Sequence, residues 1–133
     1  MSDYKIREAH GADLEAILHL INSSSNSGKI LRRTRKDVRK TLRSFLVAEK
    51  DGRVVACGAL EIYNKKLAEI RSLVVDPAFR REGIATALIE RFIAIAKKKE
   101  IYEVLAITDR SVVFSPHGFS QQLHGQKALF LRP

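Results

Sequence analysis

Cysteine is almost missing from this chain of 133 residues. Cys57 is the only one, so no disulfide can close within the chain. Tryptophan is absent and aromatic residues make up 7% of the sequence. None of them is interleaved with the basic clusters as a base-stacking platform requires. No apolar run approaches the roughly 20 residues that cross a bilayer. The four histidines, His10, His19, His117 and His124, show neither metal-ligand spacing nor a partner spacing that points to catalysis. These absences argue against a disulfide scaffold, a membrane-spanning helix, a metal site and a nucleic-acid surface. Acidic residues are outnumbered, 15 Asp and Glu against 24 Lys and Arg, which gives a net charge of +9. That excess suits a small polyanion as well as a nucleic acid.

What is present reads as one soluble domain over residues 1–133, with 45% apolar and 29% charged residues. The first residues, Met-Ser-Asp-Tyr-Lys-Ile-Arg-Glu, lack the apolar core of a signal peptide. Together with the lone cysteine they lead us to expect a cytoplasmic protein. Cys57 falls in an apolar strand run and reads as a small core residue. The run Lys97-Lys98-Lys99 closes a helix, where cations complement the dipole.

Periodicity gives the element order. A strand over Tyr4–Ala9 precedes a helix over Asp13–Ile21. A polar loop over Asn22–Gly28 leads to a short basic helix over Asp37–Phe45. Strands follow over Phe45–Glu49 and Arg53–Tyr63, joined by an Asp51-Gly52 hairpin turn. A strand over Leu67–Val75 precedes the longest helix. A strand over Tyr102–Thr108 comes next, then one helical turn at Ser111–Ser115 that Pro116 stops. A final antiparallel pair is expected over Phe119–Gln122 and Lys127–Leu131, around His124-Gly125. The class is α/β, a mixed and mostly antiparallel sheet flanked by helices.

The stretch Leu73–Ile89 carries the most chemistry. An apolar strand ends at Asp76-Pro77, and a turn with Arg80, Arg81 and Gly83 follows. Ile84, Ala85, Leu88, Phe92 and Ala96 then recur at helical spacing. A helix start offers unpaired N–H groups and the positive end of the dipole, a site for phosphate. Gly83 allows close backbone approach, and the arginines add charge.

The run Arg80-x-x-Gly83-x-Ala85, after Val-x-Pro, resembles the signature of the Gcn5-related N-acetyltransferase superfamily. The strand and helix order resembles it over nearly the whole chain. The resemblance implies acetyl-CoA as acetyl donor. Its pyrophosphate would lie on Arg80, Arg81, Glu82, Gly83, Ile84, Ala85 and Thr86. Its pantetheine arm would lie along the backbone of Leu73, Val74 and Val75, where the sheet splays between its fourth and fifth strands.

Three further runs resemble the acetyltransferase domain of N-acetylglutamate synthases: Gly28-Lys-Ile-Leu-Arg-Arg-Thr-Arg35, Ala68-Glu-Ile-Arg-Ser-Leu-Val-Val75 and Thr108-Asp-Arg110. The amino-acid kinase domain that many synthases carry is not in this sequence. The resemblance implies a small acidic acceptor, glutamate foremost, and a place in arginine biosynthesis. By motif position Arg33 and Arg110 would read its carboxylates, with Arg71 as a third candidate. Glu69 stands where the superfamily places a carboxylate that takes the amine proton. Glu61 is the other candidate, and a salt bridge to an arginine is the alternative for both. A backbone N–H of Leu73 or Val74 would bind the oxyanion. Many superfamily members carry a tyrosine that protonates the leaving thiolate, and here Phe114 stands in its place. A thiol with a pKa near 8.5 is a tolerable leaving group without help; Ser115 or His117 could substitute for the tyrosine, but Pro116 distorts the local helix. A peptide or other amine acceptor, and a non-catalytic acyl-CoA-binding module, are the competing readings. A homodimer is also compatible with the sequence.

Overall fold

The computed structural model describes residues 3–24 and 32–133. The Gly28–Leu31 part of the first synthase-like run, and most of the expected polar loop, lie outside them. Five strands form one sheet in the order β1-β2-β3-β4-β5. They are β1 (Tyr4–Glu8), β2 (Phe45–Lys50), β3 (Arg53–Ile62), β4 (Leu67–Val75) and β5 (Glu103–Ala106). The first four pair antiparallel, and β5 joins β4 parallel. The helices are α1 (Leu14–Ser24), α2 (Arg35–Lys40), α3 (Ile84–Lys98) and α4 (Ser111–Phe114).

The sheet separates two apolar layers, as its two-residue side-chain period requires. On one face Leu46, Ala56, Leu60, Ala68 and Ile70 pack against Ile84, Leu88, Ile89 and Phe92 of α3. On the other, Val47, Cys57, Ala59 and Val74 meet Leu14, Ile17, Leu18 and Ile21 of α1 and Val38 of α2. Cys57 is fully buried in this second layer, and burial pushes its thiol up to about 12. It therefore packs as a small hydrophobe and carries no thiolate near neutrality. Gly58 lies where a side chain would be tight. An added Cβ would meet the Phe92 ring at 3.0 Å and Leu73 at 3.1 Å.

Three expected elements differ. Helix α1 runs on to Ser24, because Asn22 keeps the helical path while its side chain brackets the Arg33 backbone. Pro116 does not stop the chain's helical course. It takes a first-turn position in a 3-10 turn over Ser115–His117, where proline's missing N–H costs nothing. The last antiparallel pair is absent among the described residues. The His124-Gly125 turn forms and Leu123 bridges Gln126, but no strands extend from it. Leu129, Phe130 and Leu131 are 89%, 71% and 88% exposed. A two-stranded ribbon with no apolar face to cover is marginal in water, and this one covers none.

The entry to α1 is held by a buried carboxylate. Asp13 accepts from Arg7 Nη1 and Nη2 at 2.8 and 2.9 Å and from the backbone N–H of His10 at 2.8 Å. The Arg7 hydrogen bonds hold its carboxyl below the usual range against the opposing effect of burial. A carboxyl lowered on folding adds stability above its unfolded pKa of about 4, and that stability is lost as pH falls below it. Asp13→Asn should therefore cost about 2 kcal/mol at neutral pH. That is less than the full cost of breaking a buried pair, because Arg7 keeps Glu49 at 3.0 Å. Thermal unfolding between pH 3 and 7 should show a shallower acid slope for the variant; an unchanged slope would remove Asp13 from this role.

Candidate active site

Strand β4 sets the geometry. Its first four residues pair with β5, Leu67 with Glu103 through Ile70 with Ala106. Beyond Ile70 the β5 edge of β4 has no neighbouring strand, so Arg71–Val75 offers free backbone groups on that side. On the β3 side the register slips. Ala59 faces Arg71 and Cys57 faces Val74, so Gly58 alone opposes Ser72 and Leu73. This is a β-bulge, and Ser72 carries its unusual conformation at φ +54°. For a non-glycine residue that conformation costs about 1–3 kcal/mol. The bulge also reverses the side-chain phase. Ile70, Leu73 and Val75 go to the α3 layer, while Val74 goes to the α1 layer beside Cys57.

The polar residues converge on the α1 face, around the bulge. Arg33 enters from the segment before α2 with its side chain only 5% exposed. It donates from Nε to Asp37 Oδ2 at 2.6 Å and from Nη1 to Ser72 Oγ at 3.1 Å. Nη2 reaches Thr41 Oγ1 at 3.1 Å and Glu61 Oε1 at 3.4 Å. The guanidinium lies 5.4 Å from the centre of the Phe45 ring, a cation–π distance. Glu61 also accepts from Arg71 Nη1 at 2.9 Å. Partial burial pulls the Arg71 guanidinium down, but the Glu61 hydrogen bond and charge raise it overall. The Arg71 guanidinium therefore keeps its charge.

Glu69 is the direct cross-strand neighbour of Glu61. Its side-chain partner is neutral: Tyr63 Oη donates to Glu69 Oε1 at 2.6 Å. Desolvation and the Glu69 carboxylate push the Tyr63 phenol up to about 12, so the tyrosine remains a donor at neutral pH. The two carboxylates thus have different surroundings. Glu61 is neutralised by two arginines, while Glu69, though near the Arg71 charge, takes its side-chain hydrogen bond among the described residues from a hydroxyl and keeps lone pairs for an incoming proton.

The turn after β4 forms the second half of the site. Asp76 closes a 3-10 turn over Pro77–Phe79 by accepting from the Ala78 N–H at 2.9 Å. Arg81 and Gly83 are both left-handed, at φ +68° and +79°. Gly83 is the N-cap of α3 and no side chain caps that helix. Its first N–H groups, those of Ile84, Ala85 and Thr86, therefore face outward. A Cβ built on Gly83 would meet nothing nearer than the Tyr4 hydroxyl at 4.0 Å. The turn is a cradle that a side chain would fill. Glu82, directly before Gly83, is bound to Lys50 at 2.7 Å. Arg80 and Arg81 are exposed beside the cradle. An anion such as a pyrophosphate fits this arrangement.

The sequence-predicted residues therefore fall into groups. Arg33, Arg71 and Glu61 form one network beside Ser72. Glu69 shares their sheet face. Leu73–Val75 and the Arg80–Thr86 turn line the free end of β4. Arg110 stands apart: it is exposed, is the N-cap of α4, and among the described contacts its backbone N–H takes Thr108 Oγ1. Phe114 is buried edge-on to Phe119, with ring centres 5.2 Å apart, and belongs to the core. The Ser115 hydroxyl donates to the Ser111 carbonyl. Sequence reasoning missed Ser72, Thr41, Asp37 and Tyr63. One signal for Ser72 was available: the apolar positions of β4 change parity, from Ala68 and Ile70 to Leu73 and Val75.

Known proteins share this fold. The acetyltransferase (GNAT) family profile matches residues 12–119. An uncharacterized N-acetyltransferase of Chlorobaculum tepidum is 34% identical over 90% of this chain and 77% of its own. An amino-acid acetyltransferase of Mycobacterium tuberculosis is 33% identical over 87% of this chain and 68% of its own. The chain spans 26% of a longer amino-acid acetyltransferase of Photobacterium profundum, at 33% identity. Among solved structures, a Mycobacterium tuberculosis protein in complex with CoA superposes with TM-score 0.85 at 30% identity, covering 90% of this chain and 73% of that one. An N-acetylglutamate synthase of Neisseria gonorrhoeae, complexed with coenzyme A and N-acetyl-glutamate, superposes with TM-score 0.84 at 26% identity, covering 92% of this chain and 30% of that one. This chain belongs to the acetyltransferase (GNAT) family and is an N-acetyltransferase that draws its acetyl group from acetyl-CoA.

Proposed function

We propose that residues 1–133 act as a single domain that acetylates the α-amine of a small acidic amino acid, with glutamate favoured. The observation that carries this reading is the guanidinium of Arg71, held by Glu61 on the same sheet face as Glu69 and next to the β4 bulge. Its side chain is 35% exposed, so one edge of the fork is open to an incoming carboxylate. Arg110, exposed at the start of α4, is the candidate reader of a second carboxylate. Names among the relatives point the same way, since two of them are amino-acid acetyltransferases.

The donor would lie with its pyrophosphate on the Arg80–Thr86 turn and its arm along Leu73–Val75. Acetyl-CoA supplies an activated thioester; the protein's share is placement, proton removal and a backbone donor for the acetyl oxygen. Glu69 is the base, directly or through one water, because its side-chain partner, the Tyr63 hydroxyl, leaves lone pairs free. A thiol with pKa near 8.5 departs without a general acid, at a cost of roughly a hundredfold, which is consistent with Phe114 in the core.

The test is release of CoA thiol from acetyl-CoA, screened against single amino acids, polyamines and a lysine peptide. Turnover with glutamate is the expected result. Turnover with the peptide or a polyamine instead would overturn the acceptor.

A further inference from the structure

Arg33 is arranged to hold the protein rather than the substrate. A guanidinium reads a carboxylate through two parallel N–H groups on one edge. Here Nε, Nη1 and Nη2 are all engaged, with Asp37, Ser72, Thr41 and Glu61. The side chain is 5% exposed and lies over the Phe45 ring. No edge is left for a ligand.

The same contacts converge on one strained residue. Ser72 sits at φ +54°, where a serine has no intrinsic preference to be. Two groups grip it from the α1 layer. Arg33 Nη1 donates to its hydroxyl at 3.1 Å, and the buried Cys57 thiol donates weakly to its carbonyl at 3.5 Å. Arg33 is itself anchored through Asp37 and Thr41, at the two ends of α2. Its backbone is bracketed by Asn22 of α1, which donates to the Arg33 carbonyl and accepts from its N–H. The bulge is thereby tied to two helices. The residues after it, Leu73 and Val74, are those whose backbone N–H would meet the acetyl oxygen.

We propose that Arg33 is a positioning residue: through Ser72 it fixes the β4 bulge, and the bulge aims a backbone N–H at the acetyl carbonyl. The proposal rests on acetyl transfer at this site, not on the identity of the acceptor. It also reassigns a residue whose place in the sequence motif suggested a carboxylate ligand.

Acetyl-CoA and CoA differ only in the acetyl group, so the ratio of their affinities reports the aimed N–H and nothing about the acceptor. Calorimetry of Arg33→Met should show that ratio changed about fivefold, with CoA affinity held. Adding Ser72→Gly should restore most of the ratio, because glycine adopts the left-handed conformation without the grip. If Arg33→Met does not fold, Ser72→Ala against Ser72→Gly is the second comparison. Alanine should lose the preference for the acetylated form at least threefold more than glycine does. Equal losses from alanine and glycine would overturn the proposal, as would a parallel fall in acetyl-CoA and CoA affinity. An unchanged ratio in Arg33→Met, with a KM for glutamate raised tenfold or more, would make Arg33 a ligand instead. Failure of the wild-type protein to turn over glutamate would overturn the acceptor and leave the calorimetric comparison intact.

Discussion

Gly83→Asn should bind acetyl-CoA at least about 100-fold more weakly than the wild-type protein while unfolding at nearly the same temperature. Asparagine tolerates the left-handed region far better than other side-chain-bearing residues, so φ +79° remains accessible. Its side chain, however, must enter the space above the turn, which is open as far as the Tyr4 hydroxyl at 4.0 Å. That is where a pyrophosphate would approach the N–H groups of Ile84, Ala85 and Thr86. Losing two charge-assisted hydrogen bonds at roughly 1.5–3 kcal/mol each accounts for the hundredfold or more. Gly83→Val makes the contrast. A β-branched residue at positive φ is strained by itself, so it should lose both affinity and stability. Calorimetric titration beside thermal unfolding separates the two effects. Undiminished affinity in Gly83→Asn would move the pyrophosphate away from this turn.

The strand, turn and helix around Gly83 are legible in the sequence, and so is most of the sheet, for the same reason. Local signals decided them. Strand β4 spans Leu67–Val75 as its apolar run indicates. The Asp51-Gly52 turn has both residues at positive φ, as a two-residue hairpin between right-twisted strands requires. The C-terminal ribbon misled because a turn signal with flanking apolar residues does not by itself make a strand pair. Leu129, Phe130 and Leu131 form a short apolar run, but nothing in the described fold offers them a surface. The site was legible only in part. Arg33, Arg71, Glu61 and Glu69 do share one face, while Arg110 stands apart from them. The division of labour among them was not readable, because it depends on partners 28 and 39 positions from Arg33 that no spacing rule relates. A motif position marks where a side chain emerges from the chain. Whether it then faces substrate or its own fold is decided by burial, and burial is a property of the assembled sheet and helices.

That distinction gives the sharpest contrast between the two carboxylates. Glu69→Gln should lower kcat about 100-fold or more, with acetyl-CoA affinity and unfolding temperature nearly unchanged. The glutamine keeps the hydrogen bond from Tyr63 but cannot take the amine proton. Glu61→Gln should do the reverse in kind. It removes the counter-charge shared by Arg33 and Arg71, and the Arg33 side chain is buried. Breaking a fully buried pair costs about 3–5 kcal/mol, and the loss here should fall near the lower end because Asp37 stays 2.6 Å from Arg33. Its activity loss should then accompany lost stability, and should include weaker acceptor binding through a misoriented Arg71. Measuring kcat, acceptor KM and unfolding temperature on both variants distinguishes the roles. A Glu69→Gln enzyme with wild-type kcat would remove Glu69 as the base. The same result, coupled to a Glu61→Gln protein that folds normally but has lost its rate, would hand the proton to Glu61 despite its two arginines.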